Sequence, residues 1–585
     1  MAAHRAGDGL PLPARRRGGG RRVSRGLIWP RLSTGGGGAA AVRSLAAAQY
    51  SKHLLLLWAV RDAARRTGHP QAGQASRGYD LLADIQRQAP GAVEAVLRHP
   101  SVGAWAERAL RALLRGEPPA GTGGPGGRRA GAGPGQLAAV AAAAAIRARY
   151  PCAIEVPVCR GAVTLPSVGQ VTLAPGWVPA GQAAGRPPAG GPAAPGMANV
   201  RYTAEGVRVI AGRRLVLIPA DTRADAPGWR GLRSLRATAR GMTLRLVLDD
   251  LDPDRMPSAG DLGGRLSPAE AMRWQRILPP AWDLLADQPG TTAEEIQAAI
   301  GVLTPLRRPA HGQVSASSRA AFGAVALSPP AGALALAVTL AQEVQHVKLG
   351  ALLDRVTLTE PDDGQRYYAP WCDHPRCADA WCEDARRDGG RCDGARPAGA
   401  LLQRAYGCLG VCGFWRWQRL AEDHAAAARA RLEFTRWCEA ATTATRILRA
   451  SGRLTPAGRA FAAGMAATLQ AWADEKMPGA APLPSRAGHE LPRSQLTVTA
   501  RGVRMRDETT ALRGTVPPGG GPGNGPARGT ALPGARPGPG PALDAALPSG
   551  LADVTGIPLG DLDSSGQSRL ADAVRRIMSR DGDRW

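Results

Sequence analysis

Residues 342–346 read Gln-Glu-Val-Gln-His. A His at position 342 would complete H-E-x-x-H, which sets two imidazoles one helical turn apart on one face. Both can then bind one metal while the Glu between them works as a base. In this chain Glu343 and His346 stand, and the first ligand position is an amide, Gln342. Glu343 has three open readings: hydrolytic base, metal ligand, or a group that orients the ligands. His346 is the firm ligand candidate. Gln342 would offer a metal only a weak neutral oxygen, and its preferred reading is a helix residue with no metal role.

Two other groups carry residue types that hold metals. Cys372, Cys377, Cys382 and Cys392, with His374 among them, are separated by four, four and nine residues. Zinc knuckles favour two-residue gaps, so unrelated drift is the preferred reading and a structural zinc the second. The run Leu248-Asp249-Asp250-Leu251-Asp252-Pro253 resembles a carboxylate cluster for a metal. Its preferred reading is a strand end followed by an acidic turn before proline. Trp274 and Trp282 read as a core stripe rather than a base-stacking platform.

The elements that must position these residues follow from periodicity. Residues 1–40 are Gly/Arg-rich and read as a disordered basic terminus, 41–115 as a helical region, and 116–135 as a Gly/Pro linker. Within 136–475, an Ala-rich helix spans about 136–149. Short apolar runs at 153–156, 162–165, 170–173, 215–218 and 244–248 read as strands of a small antiparallel sheet over about 152–250. Helices are expected over 266–475, starting at Ser267-Pro268-Ala269-Glu270 with Ser as N-cap and Pro in the first position. The motif helix is placed at 333–353, a Cys-rich insert at 372–396, a Pro/Gly-rich linker at 480–545, and a separate C-terminal unit at 546–585. The fold class is mainly α with a small central antiparallel sheet, the motif lying on a core helix.

The net charge is +26 and the pI about 11.0, supplied nearly all by Arg. The charge forms no stripe with interleaved aromatics, so no nucleic-acid partner is expected. No apolar run reaches the ~18–20 residues of a membrane span, and no export signal is evident. Nine cysteines, an odd number, point to a reduced, cytoplasmic setting without a disulfide framework.

Several segments together carry a family resemblance: Gln49-Tyr50-Ser51-Lys52-His53 with Leu54 to Leu57; His99-Pro100-Ser101-Val102-Gly103-Ala104-Trp105; Leu248 to Arg255; Ala321 to Val325; Glu343 to Asp354; Arg366-Tyr367-Tyr368-Ala369-Pro370-Trp371; and Leu454-Thr455-Pro456-Ala457-Gly458. From about residue 42 to 475 the chain resembles the actinobacterial HExxH-motif family associated with ribosomally made, post-translationally modified peptides. These are 2-oxoglutarate-dependent HExxH-type peptide β-hydroxylases, some fused to or encoded near radical SAM maturases of the Fxs type. The resemblance implies Fe(II) and 2-oxoglutarate as cofactors and a ribosomal precursor peptide as substrate. It makes Arg366 and Arg376 candidates to pair with the 2-oxoglutarate carboxylate, although a surface role in so Arg-rich a chain is the preferred reading.

The departures concentrate at the implied site. Cys372-Asp373-His374-Pro375-Arg376 stands where the family has Arg-Asp-Asp-Pro-Arg, and Tyr406-Gly407-Cys408 where it has Tyr-Ala-His. The resemblance makes that His a third ligand, so Cys408 occupies a ligand position with a soft sulfur that shifts preference toward zinc. Three functions remain open: an HExxH-type peptide hydroxylase, a catalytically dead scaffold that binds precursor peptide for a radical SAM maturase, and a zinc peptidase, disfavoured by the missing His.

Residues 551–578, which begin Leu-Ala-Asp-Val-Thr-Gly-Ile-Pro-Leu-Gly-Asp-Leu, look like the leader region of Fxs-type precursors, with Leu570, Ala573, Val574 and Ile577 on one face of a following helix. Such a tail could dock in cis or bind the maturase; the competing reading is a loose tail with one marginal helix.

Overall fold

The computed structural model describes residues 28–116, 133–173, 196–257, 263–308, 313–370, 395–420, 423–475, 553–564 and 567–579. It begins with helices α1 (Ile28–Ser33), α2 (Gly38–Arg66), α3 (Ala72–Gln88), α4 (Pro90–Leu97), α5 (Pro100–Arg115) and α6 (Gln136–Ala148). Leu54, Leu55, Leu56 and Leu57 are all buried, because α2 is covered on every side. α4 and α5 both open on a proline, whose missing N–H costs nothing in a first turn.

Against these helices pack two small antiparallel sheets. The first, in the order β1-β4-β5-β6, joins β1 (Cys152–Pro157), β4 (Met197–Thr203), β5 (Gly206–Ala211) and β6 (Arg214–Ile218). The second, β2-β3-β7, joins β2 (Ala162–Leu165), β3 (Gly169–Thr172) and β7 (Trp229–Gly231). Their inward faces share one apolar core with α2 to α6.

A second core surrounds a five-stranded mixed sheet and the remaining large helices. Its strands are β8 (Arg233–Ala239), β9 (Met242–Leu248), β10 (Val302–Pro305), β11 (Ser315–Ser317) and β12 (Ala324–Leu327), in the order β11-β12-β10-β9-β8. β10 runs parallel to both β9 and β12, and β11 closes one edge antiparallel to β12. Helices α7 (Pro268–Ala286), α8 (Thr292–Ala299) and α9 (Ala333–Leu353) accompany the sheet. After the short pair β13 (Tyr367–Tyr368) and β14 (Ala395–Arg396) come α10 (Ala398–Gln418), α11 (His424–Ala450) and α12 (Pro456–Ala473). The C-terminal unit is a 3-10 turn, Leu559–Ser564, and α13 (Gln567–Ser579).

The chain is therefore mainly helical with several small sheets, as the periodicity predicts. Ser267 caps α7 reciprocally with Glu270, and α9 has the expected bounds. Two expectations are corrected. The helical stretch 266–475 contains β10, β11 and β12, and the sheet they join is mixed rather than antiparallel. β10 and β12 are buried on both faces, so they show a short apolar run and no alternation. The terminus 1–40 is not wholly disordered: α1 and the start of α2 fall inside it. Leu32 is buried, and the Gly35 carbonyl accepts from Gln345 (2.9 Å) and Lys348 (2.8 Å) of α9. Residues 1–27, most of the 116–135 linker, and the whole 480–545 linker lie outside the described residues.

Candidate functional site: the motif helix and a docked C-terminal segment

The C-terminal part of helix α9 is held by two buried charge clusters. Lys348 pairs with Glu295 of α8 and reaches the Gly35 and Gly36 carbonyls. Asp354, its C-cap, accepts from Gln49 (2.8 Å) and Lys52 (3.1 Å) of α2 and pairs with Arg319. α10 lies against α9 through two glycines. A Cβ at Gly410 would overlap the Ala341 carbonyl, and one at Gly407 would overlap His346 Nε2. Only glycine permits this approach.

Glu343 and His346 are brought together, His346 Nδ1 standing 3.4 Å from Glu343 Oε2. The other Glu343 oxygen accepts from Ser315 Oγ at 2.7 Å on the edge strand β11. Burial raises the Glu343 carboxyl, but the adjacent His346 ring and the Ser315 and Ser317 hydroxyls outweigh it, and the pKa lies below the ordinary glutamate value. Glu343 is thus a carboxylate stabilised as an anion, not a base poised near neutrality.

The residues do not fit the implied Fe(II) centre. A ligand nitrogen needs a metal about 2.0–2.1 Å from it. His346 Nε2 is packed against Gly407, in the volume that a side chain there would fill. Its Nδ1 faces Glu343. Gln342 is half-buried one turn away. Cys408 is buried, and Cys408, Glu343 and His346 do not form a group whose ligand atoms all lie within 4.8 Å of one another. Cys408 lies instead near Cys412, whose thiol meets Cys438 of α11. Arg366 is exposed and pairs with Asp362 at 3.0 Å. Arg376, His374, Cys372, Cys377, Cys382 and Cys392 lie outside the described residues.

Gly407→Ala tests the packing of the His346 ring. The added methyl must displace that ring, with an expected loss of about 1–3 kcal/mol in unfolding free energy from urea titration. An unchanged urea midpoint would show that the ring is not seated there.

The C-terminal segment docks in cis. Val554, Leu559, Leu562, Leu570, Val574 and Ile577 join the core of α2 to α6. Val554 N donates to Ser51 Oγ (3.2 Å), Tyr79 OH to the Leu559 carbonyl (2.8 Å), and Leu559 N to Gln86 Oε1 (2.7 Å). Asp563 accepts from Trp58 Nε1 (2.9 Å) and pairs with Arg61. The contacts thus combine an apolar stripe with main-chain recognition, as expected for a bound peptide.

Among the described residues, the one group of three His, Cys, Asp or Glu side chains close enough to share a metal is His99, Asp249 and Asp252, all buried. The Asp run is visible in the sequence as a carboxylate cluster, but nothing in the sequence ties His99 to it. A spacing of 150 residues leaves no local signal that joins them.

No helix among the described residues is long and apolar enough to cross a membrane. No protein-family model matches the chain, and no curated protein matches it.

Proposed function

We propose that this chain binds a ribosomal precursor peptide and presents it to a radical SAM maturase, without itself hydroxylating the peptide. The observation that carries the reading is the leader-like segment 553–579 seated on α2 and α3. Seventy-seven residues of sequence (476–552) lie between it and the last residue described before it. A peptide held this way is exchangeable: an incoming leader competes with the tethered copy, whose effective concentration falls with tether length. The misfit between the motif residues and Fe(II) supports the non-hydroxylating half of the proposal, and it disfavours the zinc peptidase for the same reason.

The test uses the chain lacking 546–585 and a fluorescent peptide of residues 551–579. Saturable anisotropy binding to the truncated chain is expected, at least tenfold weaker to the full chain because the cis segment competes. Absence of saturable binding to the truncated chain overturns peptide binding. Incubating the full chain and the same peptide with Fe(II), 2-oxoglutarate and O₂ is expected to leave the peptide mass unchanged. A gain of ~16 Da, one oxygen, would restore the hydroxylase.

A further inference from the structure

We propose that His99, Asp249 and Asp252 form a structural site for a borderline divalent cation of the Zn²⁺, Fe²⁺ or Mn²⁺ class. It would clamp the N-terminus of α5 to the loop that follows β9. The site is separate from the motif helix and does not depend on the peptide-binding reading.

Hydrogen bonding around the three side chains determines which atoms remain to bind. Asp249 accepts at Oδ1 from Leu251 N (3.1 Å) and Asp252 N (3.0 Å). Asp252 Oδ1 accepts from Asp254 N at 2.8 Å, and Ser101 donates to the Asp252 carboxylate. Ser101 has a single hydroxyl proton. With that proton on Asp252, the 2.8 Å contact between Ser101 Oγ and His99 Nδ1 requires the proton of the ring to sit on Nδ1. Nε2 then carries a lone pair. It stands 3.8 Å from Asp249 Oδ2, and both atoms are buried without a hydrogen-bond partner.

Two lone pairs facing each other in a dry interior are costly unless a positive centre lies between them. The separation suits a metal: two ligands each ~2.1 Å from one cation stand roughly 3.0–4.2 Å apart, according to the angle at the metal. An imidazole whose other nitrogen donates to an outer hydroxyl is the usual arrangement around a metal-bound His.

Neighbouring cations do not fill this role. Arg255 gives its two terminal nitrogens to the Asp252 carbonyl (2.6 Å) and the Gly263 carbonyl (2.5 Å), so its charge acts on Asp249 from a distance without an ion pair or hydrogen bond to it. Arg108 pairs with Asp254, Arg265 with Asp250, and Arg147 bonds Ser167. One imidazole with two carboxylates favours borderline over soft metals.

The test loads chelator-treated full-length chain with Mn²⁺ alone, followed by electron paramagnetic resonance and thermal unfolding. Mn²⁺ avoids the thiolates of the Cys-rich insert. The wild type and His346→Ala are each expected to bind one equivalent and to gain thermal stability on loading. Asp249→Asn and His99→Gln are expected to bind at least a hundredfold more weakly and to gain none. Metal-free Asp249→Asn should unfold no earlier than the metal-free wild type, since it removes a buried like charge. This separates ligand loss from a folding defect. Failure of the wild type to bind Mn²⁺, or full binding by Asp249→Asn, overturns the proposal. In either case a shared proton rather than a metal would sit between His99 and Asp249.

Discussion

Lys348→Met is expected to lower the unfolding free energy by about 3–5 kcal/mol, the cost of stranding a buried charge. Lys348 and Glu295 have side chains 1% and 0% exposed, and nothing else described here neutralises Glu295 so closely. The same ammonium satisfies two main-chain carbonyls of the segment before α2, Gly35 and Gly36. Burial draws its pKa below the ordinary lysine value, with Glu295 only partly offsetting. The loss would be read from urea unfolding. Pairing the change with Glu295→Gln should recover much of it, because the stranded charge is then gone. A single variant within 0.5 kcal/mol of wild type, on the scale of an ordinary surface change, would show that the pair does not anchor the motif helix.

The second large effect centres on Asp354, where α2, the turn at Arg319 and the end of α9 meet. Burial would raise this carboxyl, but Lys52 and Arg319, with Gln49 donating, bring it down to about 2. A depressed carboxyl contributes stability above its unfolded pKa of ~3.9. That contribution is lost as pH falls toward the folded value. Stability should therefore drop between about pH 4 and pH 2, and Asp354→Asn should flatten that part of the profile. At neutral pH Asp354→Ala removes the carboxylate from Arg319, which keeps the Leu353 carbonyl (3.2 Å), and one of two from Lys52, which keeps Glu107 at 3.0 Å; the expected loss is about 3 kcal/mol. Urea unfolding across this pH range measures both. A variant with the wild-type acid slope would place the titrating group elsewhere.

These anchors explain what the resemblance-bearing segments contain. Lys52, His99, Ser101, Asp249, Asp252, Lys348 and Asp354 all lie within them, and all are buried polar residues that join distant parts of the chain. Lys52 and Asp354 are 302 residues apart. Gln342 and Cys408, the two positions where the resemblance implies ligands, are not among these anchors, and the His346 ring packs against Gly407.

Local rules were legible in the chain alone. The bounds of α9, the capping box at Ser267, the strands ending at Leu165, Ile218 and Leu248, and the apolar stripe of α13 depend on neighbours a few residues away. Hydrophobic period, caps and turn residues record such neighbours directly. β10 and β12 left no such record, since strands buried on both faces have no polar side to alternate with. What the tertiary structure alone decided is which groups meet: His346 with Gly407 rather than Cys408, His99 with Asp249, and the C-terminal segment with α2. Those meetings depend on how whole helices approach, and an approach controlled by a missing Cβ at residue 407 has no signature at residue 346.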